Sequence, residues 1–256
     1  SDVCSSDLLW DLEKQGFNPE RTIADCGEGL RLGQKLAMPN TPCDADNFHM
    51  IQSLIDMRRF FRNRLANASS HFDKMDSKFK KARKVYSRKK LYYKLTLAKQ
   101  ALQKMQSLSG SVDILVSWMQ HDVLTKAGGA PAERSEMFAF IVNEFEKLEK
   151  IHPHRIRQIR VALQNQCHLL LAFVKVLDKK FTSISKQFNQ PREIIWKMCE
   201  LQRCEHGSIT YECRSLPLHQ ALGGGYEKIE GAVICAMETT ERTSSIVENF
   251  NSRLRP

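Results

Sequence analysis

The chain has 256 residues, enough for one large domain or two small ones, and 42% of them are hydrophobic. Lys and Arg outnumber Asp and Glu by 39 to 29, which gives a formal net charge of +10. No apolar run approaches the roughly 18 residues of a membrane span, so no part of this sequence is expected to cross a bilayer, and no secretory signal is visible in it. The eight cysteines are scattered through helical patterns. We therefore expect mostly buried thiols in a cytoplasmic protein.

The first eight residues, SDVCSSDL, match the in-frame translation of a common sequencing adaptor. Such segments are set aside before fold reasoning, so residues 1–8 are treated as an artefact. We then expect the natural protein to begin upstream of Leu8 and this sequence to be a fragment. A disordered natural N-terminus is the alternative.

Residues 9–49 carry the pattern of an α/β layer. A short helix from Leu8 is expected to end at Gly16, and RTIAD at 21–25 is a strand candidate. CGEGLRLGQKLAM then predicts a turn and a helix, and CDADNFH at 43–49 predicts a second short strand. This order of helix, strand, helix and strand indicates part of an α/β fold.

From residue 50 onward the pattern is helical, and a single helical region is expected over 50–237. No Pro or Gly occurs between Pro42 and Gly110. Further helices are predicted at 112–124 and 137–148, then over more than 30 residues up to Pro191, and again at 227–237. The stretch after Cys204 is read as polar. Apolar residues alternate in steps of four and three along a heptad seam at Phe61, Leu65, Ala68, Phe72, Met75, Phe79 and Ala82.

The positive charge is concentrated in one segment. Between Arg58 and Lys104 there are sixteen Lys and Arg but only two acids, so the rest of the chain is near −4. Salt-bridged surface helices normally mix both signs, so this basic coiled-coil segment predicts contact with the DNA backbone. A solvated helix face is the alternative. The candidate DNA-binding residues are Arg58, Arg59, Arg62, Arg64, Lys78, Lys80, Lys81, Arg83, Lys84, Arg88, Lys89 and Lys90.

Three acidic positions are candidates for chemistry, and each also has a structural explanation. Asp25 ends a short strand, where α/β sheets bind ligands, but it could equally cap the following helix. Asp46 and His49 could face one site, although an ordinary strand-end turn explains their spacing. Glu248 lies in Ser245-Ile-Val-Glu, which reads as a capping box, yet it also belongs to a polar helix stripe.

Taken together these stretches resemble DDE-type insertion-sequence transposases, which have an RNase H-like core. ADCGEGLRLGQKLAMPNTPCDADNFH is similar to the second catalytic strand of that family and the C/D-x-x-H motif that follows it. By that resemblance Asp25 is the second acid of the triad, and Asp46 and His49 are the C/D-x-x-H pair. RTSSIVENFNSRLR resembles the last catalytic helix, with Glu248 as the final acid. Mutator-like and hAT-like relatives carry a large helical insertion between these parts, which would correspond to residues 50–237.

The resemblance implies an α/β remnant of an RNase H-like core, at 9–49, with a large all-α insertion and a truncated last catalytic helix at 238–256. It also implies metal-dependent DNA strand cleavage and transfer, with Mg²⁺ or Mn²⁺ held by Asp25 and Glu248 and with His49 bracing the site. The first aspartate of the triad has no good counterpart, so the chain alone is expected to be inactive.

Two readings without catalysis remain open. One is a helical protein that binds nucleic acid through the basic coiled coil, and the other is a helical scaffold for other proteins. The sequence does not fix the oligomeric state, and a homo-oligomer is one alternative.

Overall fold

The computed structural model describes residues 2–24 and 28–242, which are predominantly helical. The described strands are β1 (Thr22–Ala24) and β2 (Cys43–Ala45), and a π-helical turn spans Met119–Val123. The α-helices are α1 (Asp2–Lys14), α2 (Glu28–Ala37), α3 (Asn47–Lys81), α4 (Val85–Trp118), α5 (Pro131–Glu149), α6 (Pro153–Leu170), α7 (Ala172–Phe188), α8 (Arg192–Leu201), α9 (Ile209–Leu222) and α10 (Tyr226–Glu238).

The chain divides into two compact units. The first comprises residues 1–51, 120–140 and 162–256, and the second comprises residues 52–119 and 141–161. The helical region that begins at residue 50 therefore contributes to both units.

In the first unit, β1 and β2 pair in parallel, with Thr22 opposite Cys43 and Ala24 opposite Ala45. Helix α2 connects them, and α1 packs against α2. The buried Gln34 side chain fastens the turn after α2, because its Nε2 donates to the carbonyl of Thr41 at 2.9 Å. The helix–strand–helix–strand order expected for this region is confirmed. These four elements do not by themselves establish an RNase H-like core.

Two boundaries in this region were predicted wrongly. The second strand ends at Ala45 rather than His49, because the carboxylate of Asp46 accepts the Phe48 N–H at 2.8 Å. That bond is an N-cap, and it starts α3 at Asn47. Helix α1 begins at Asp2, well before Leu8, and ends before Gly16, whose positive φ of 87° stops it.

The predicted long helix before Pro191 is interrupted at Leu171, which has φ −94° and ψ 6°. The N–H of Val174 turns to the carbonyl of Leu171, at 3.1 Å, instead of that of Leu170. The interruption releases the Leu170 carbonyl, which accepts the Nδ2 of Asn47 at 3.2 Å. A long-range polar contact thus replaces one helical hydrogen bond, and the chain forms α6 and α7.

The helical core of the first unit is built from α7, α8, α9 and α10. The Phe181 ring meets the Trp196 ring edge to face, with centroids 4.7 Å apart. Helix α9 lies where the sequence was read as merely polar, so that reading was wrong. Its signals are Ser208, whose Oγ accepts the Tyr211 N–H at 3.1 Å, and buried residues at three- and four-residue spacing: Tyr211, Ser215, Leu218 and Leu222.

In the second unit, α3 and α4 form an antiparallel hairpin. Arg62 pairs with Asp113 at 3.1 Å near the base, and the rings of Phe79 and Tyr92 lie 6.0 Å apart near the turn. The basic segment 58–104 is therefore two helices joined by residues 82–84, rather than one. The heptad seam lies on α3 as expected, except for its last member, Ala82, which falls in the connection. Phe61 is fully buried, but later seam residues are only half-buried, because a two-helix hairpin covers one side of each helix.

No helix among the described residues is long and apolar enough to cross a membrane. The structure describes the side chains of six cysteines, all of them free; of these six only Cys199 is buried, whereas Cys213 and Cys235 are exposed. The expectation of mostly buried thiols was therefore wrong. Cys213 and Cys235 lie on the solvent-facing sides of amphipathic helices, where the sequence alone does not separate a thiol from an apolar core residue.

Candidate functional site at the strand ends

Three separate parts of the chain meet where β2 ends. The N–H of Asp46 donates to the carbonyl of Ala24 at 2.8 Å, extending the parallel pairing by one step. The next N–H, that of Asn47, donates to the carbonyl of Arg242 at 3.2 Å. Consecutive residues therefore fasten the end of β1 and the segment that follows α10. This meeting point lies at the carboxyl ends of both strands, where α/β sheets bind ligands.

The two central acids of the resemblance, Asp25 and Glu248, lie outside the described residues. Asp25 directly follows Ala24 in the sequence, and Glu248 comes six residues after Arg242. Among the residues that are described, no group of three or more His, Cys, Asp or Glu side chains could hold a metal ion. A metal at this site would therefore depend on Asp25 and Glu248, whose carboxylate oxygens are the donors that Mg²⁺ and Mn²⁺ prefer.

Asp46 and His49 both lie at the start of α3 rather than on a strand. Asp46 is fully buried, and one of its carboxylate oxygens caps the helix through the Phe48 N–H. His49 is exposed, and its ring meets that of Phe48 edge to face at 5.6 Å. Asp46 therefore has a structural role that anchors β2 to α3, and His49 lies one turn further along the same helix.

Asn47 is the residue at this site that sequence reasoning missed. Its side chain is buried, with the residue 1% exposed, and its Nδ2 donates to Leu170. Its Oδ1 is buried without a hydrogen-bond partner among the described residues. The only sequence signal was an amide next to a capping aspartate, which is common at helix starts and does not indicate a long-range contact.

Cations surround the end of α10 beside this meeting point. Lys180 Nζ donates to the Thr239 carbonyl and to the hydroxyls of Thr239 and Thr240, each at 2.9 Å. Lys126 Nζ donates to the Glu238 carbonyl at 3.3 Å. These amines satisfy the carbonyls and hydroxyls at the end of the helix and complement its dipole. Burial lowers the pKa of the Lys126 amine.

The backbone of Arg242 is bound by Asn47, and its side chain is bound by the loop that follows the π-helical turn. Its guanidinium donates to the Leu124 carbonyl, and burial lowers its pKa. That loop is itself fastened by Arg134, which is 2% exposed and donates to the carbonyls of Val123 at 2.9 Å and Gly129 at 2.7 Å, among others. Burial lowers the pKa of Arg134 to about 10, so it stays charged at neutral pH. The segment that leads towards Glu248 thus starts from a rigid support.

The basic candidates lie on the α3–α4 hairpin. Three of the twelve form ion pairs: Arg59 with Asp56, Arg62 with Asp113, and Lys80 with Asp76. Arg64 and Arg88 lie over the rings of Phe60 and Phe79, 5.4 and 5.2 Å from the centroids. The residues flanking the turn are exposed and have no acidic partner in the described part of the chain: Lys78, Lys81, Arg83, Lys84, Lys89 and Lys90. Arg58 is half-buried.

Helix electrostatics explain only part of this charge. Lys78, Lys80 and Lys81 occupy the last turn of α3, where cations stabilise the helix dipole. At the start of α4 the helix dipole favours acids instead, yet the first turn has none. The N-cap residue is Lys84, whose side chain makes no capping hydrogen bond. Cations there act against the dipole. Their placement therefore favours an external anion over helix stability as the explanation.

Comparison of the chain with profiles of protein families, with curated proteins and with solved structures found no match.

Proposed function

We propose that this chain is part of a DDE-type DNA transposase, which cleaves and transfers DNA strands with the help of divalent metal ions. In this proposal Asp25 and Glu248 are two of the three acids, and the third comes from a residue outside this sequence. The α3–α4 hairpin contacts the DNA backbone. The chain alone is then inactive, because one acid is missing.

The observation that carries the proposal is the pair of backbone hydrogen bonds at Asp46 and Asn47. They join the residue before Asp25 to the segment that leads to Glu248, although the two acids are 223 positions apart in the sequence. A helix of six residues is about 9 Å long, a length that would allow Glu248 to reach the strand ends from Arg242. A fold that brings distant acids to one sheet edge is what a metal-dependent nuclease centre requires.

Carboxylates at this edge would hold Mg²⁺ or Mn²⁺, and a bound pair of such ions activates an attacking oxygen and stabilises the leaving one. The chain's own residues have supporting roles. Asp46 fixes α3 against β2 through its capping bond. The cations at the end of α10, Lys126 and Lys180, add positive charge beside the site, which favours the approach of a phosphodiester.

The test uses the complete transposase that contains this sequence, with a labelled DNA end as substrate and Mg²⁺ or Mn²⁺ present. We expect Asp25→Asn and Glu248→Gln each to reduce strand cleavage by at least about a thousandfold, of the order found when an essential catalytic group is removed. Glu241→Gln is the matched control, because this exposed acid lies just before the last segment. Wild-type cleavage by both acid variants would refute the assignment.

A second candidate is a non-catalytic helical protein that binds nucleic acid through the hairpin. The observation that favours it is that the unpaired cations near the hairpin turn need no acidic site to bind DNA. The same experiment separates the two candidates. Salt-sensitive DNA binding without metal-dependent cleavage by the complete protein supports the second.

A further inference from the structure

The outward face of α4, close to the hairpin turn, carries aromatic rings between cations. Tyr86 is 83% exposed and Tyr93 is 66% exposed, and Lys89 and Lys90 are exposed between them. With about 3.6 residues per turn, positions 86, 90 and 93 fall on one face of a helix and position 89 at its edge. These four residues form the outer stripe of the hairpin.

The outer stripe takes no part in the packing of the hairpin. The opposite face of α4 carries Leu91 and Leu95, which are half-buried, and Ala98, which is buried. Tyr92 differs from its neighbours, since its ring approaches Phe79. Among the described residues, no ring contact or side-chain hydrogen bond involves Tyr86 or Tyr93. The packing of the hairpin therefore does not explain why aromatic rings stand at these two exposed positions, whereas a ligand would.

The charge around the stripe restricts what that ligand can be. From Lys78 to Lys94 the sequence has nine Lys and Arg and no Asp or Glu. A neutral or basic protein surface would be disfavoured here, whereas a polyanion would be attracted. Exposed aromatic rings within such a field are the combination found in proteins that bind single-stranded nucleic acid. There the cations follow the backbone and the bases stack on the rings.

The spacing of the rings suits a single strand. Tyr86 and Tyr93 are separated by two helical turns, about 10.5 Å along the axis. This is about three times the 3.4 Å rise per nucleotide of a stacked strand. In a duplex the base faces are covered by their neighbours, so only unpaired bases can reach the rings.

We propose that the outer stripe binds unpaired DNA nucleotides, with bases stacked on Tyr86 and Tyr93 and with Lys89 and Lys90 on the adjacent phosphates. This rests on the proposed function, which makes DNA the substrate, and adds that the DNA held by the hairpin contains unpaired bases. Contacts with the backbone of a duplex would involve the two lysines but neither tyrosine ring.

The experiment measures binding of the intact chain to a labelled oligothymidylate and to a duplex of the same length, over a range of salt concentrations. We expect the double variant Tyr86→Ala, Tyr93→Ala to bind the single strand about tenfold more weakly or worse, because each stacked base contributes substantially. Its duplex affinity and salt dependence should not change. The variant Tyr86→Phe, Tyr93→Phe keeps both rings and should bind like the wild type.

Two further variants make the result specific. Lys89→Ala with Lys90→Ala should weaken binding to both DNAs and reduce the salt dependence, because fewer phosphates are then neutralised. Val85→Ala changes a residue that is 86% exposed but lies off the stripe, and it should change neither affinity. Alanine favours helix, so circular dichroism should show the hairpin intact in every variant.

Three outcomes would overturn the inference. Unchanged single-strand binding by the Tyr→Ala pair, or an equal loss on duplex, would refute stacking while leaving duplex binding and the proposed function in place. Tighter binding of the wild type to phosphatidylserine vesicles or polyglutamate than to oligothymidylate would show that the outer stripe binds an anionic membrane or protein rather than single-stranded DNA. Absence of any salt-dependent DNA binding would refute the DNA-binding part of the proposed function as well.

Discussion

Asn47 connects three parts of the first unit through one residue. Its N–H holds the Arg242 carbonyl, and its side-chain amide holds the carbonyl that the break between α6 and α7 releases. Since an unpaired buried carbonyl costs about 1–3 kcal/mol, we expect Asn47→Ala to lower the free energy of unfolding by about 1 kcal/mol. The loss is at the low end because the alanine also removes an unpartnered buried oxygen.

Asn47→Asp should be more destabilising than Asn47→Ala, because it sets a buried carboxylate against the Leu170 carbonyl and beside Asp46. Urea unfolding of both variants measures this order. Equal stability of all three proteins would mean that the side-chain bond to Leu170 contributes nothing.

His152 makes stability depend on pH. Its ring packs edge to face against those of Phe60 and Phe61, with centroids 5.6 and 5.1 Å away, and its Nδ1 is buried without a hydrogen-bond partner among the described residues. Burial, and then the charge of Arg64, lower the pKa of the imidazole below its ordinary value. The unfolded chain therefore binds the proton more readily. Stability should be full above the unfolded pKa of about 6.5 and should fall as pH drops through and below that value.

The measurement compares urea midpoints at neutral and mildly acidic pH. His152→Phe keeps the aromatic packing and should remove part of the acid sensitivity. His168→Gln, at an exposed histidine of the first unit, should leave it unchanged. An identical pH dependence in wild type and His152→Phe would show that His152 is not responsible.

At the scale of elements, the start of α4 separates helix stability from DNA binding. Lys84 has an extended backbone, φ −77° and ψ 128°, that suits an N-cap, but it makes no capping bond. Lys84→Asp should raise the stability of the helix by about 0.5–2 kcal/mol by adding a cap. The same change should weaken DNA binding and reduce the log–log salt slope by about 0.9 for each phosphate that is no longer neutralised.

Thermal melting and DNA titrations of the same samples check both effects. Lys84→Ala is the matched control, because it removes the charge without adding a cap; it should weaken binding and raise stability less than Lys84→Asp, through the helix dipole alone. Unchanged DNA affinity in both variants would favour a solvated basic face over a DNA-binding one.

The sequence predicted the elements better than their junctions. The heptad seam and the short strands followed from periodicity, which local residues determine. The predicted end of β2 depended on whether Asp46 continued the alternating pattern of the strand or capped a helix. The sequence is compatible with both. The break at Leu171 leaves the Leu170 carbonyl to Asn47, which is 123 positions away in the sequence, so no local pattern could show how that carbonyl is satisfied. The hairpin turn at 82–84 contains neither Gly nor Pro, which hid it within a long helical pattern.

At the scale of the whole molecule, the candidate site joins sequence ends that only the fold can bring together. The motifs gave Asp25, Asp46, His49 and Glu248 as separate short matches. They could not give Asn47, Arg134 or Arg242, because these residues act through backbone carbonyls rather than through a recognisable motif. We propose that the same fold lets Asp25 and Glu248 share divalent ions at the strand ends.

Iron-directed backbone cleavage tests that claim most directly. Fe²⁺ replaces Mg²⁺ in the complete protein, and ascorbate with peroxide then produces radicals that cut the chain next to the bound metal. The account predicts cuts beside both Asp25 and Glu248, and loss of both sets of cuts in either Asp25→Ala or Glu248→Ala. Cuts beside one acid that persist when the other is replaced, or no localised cuts in the wild type, would contradict it.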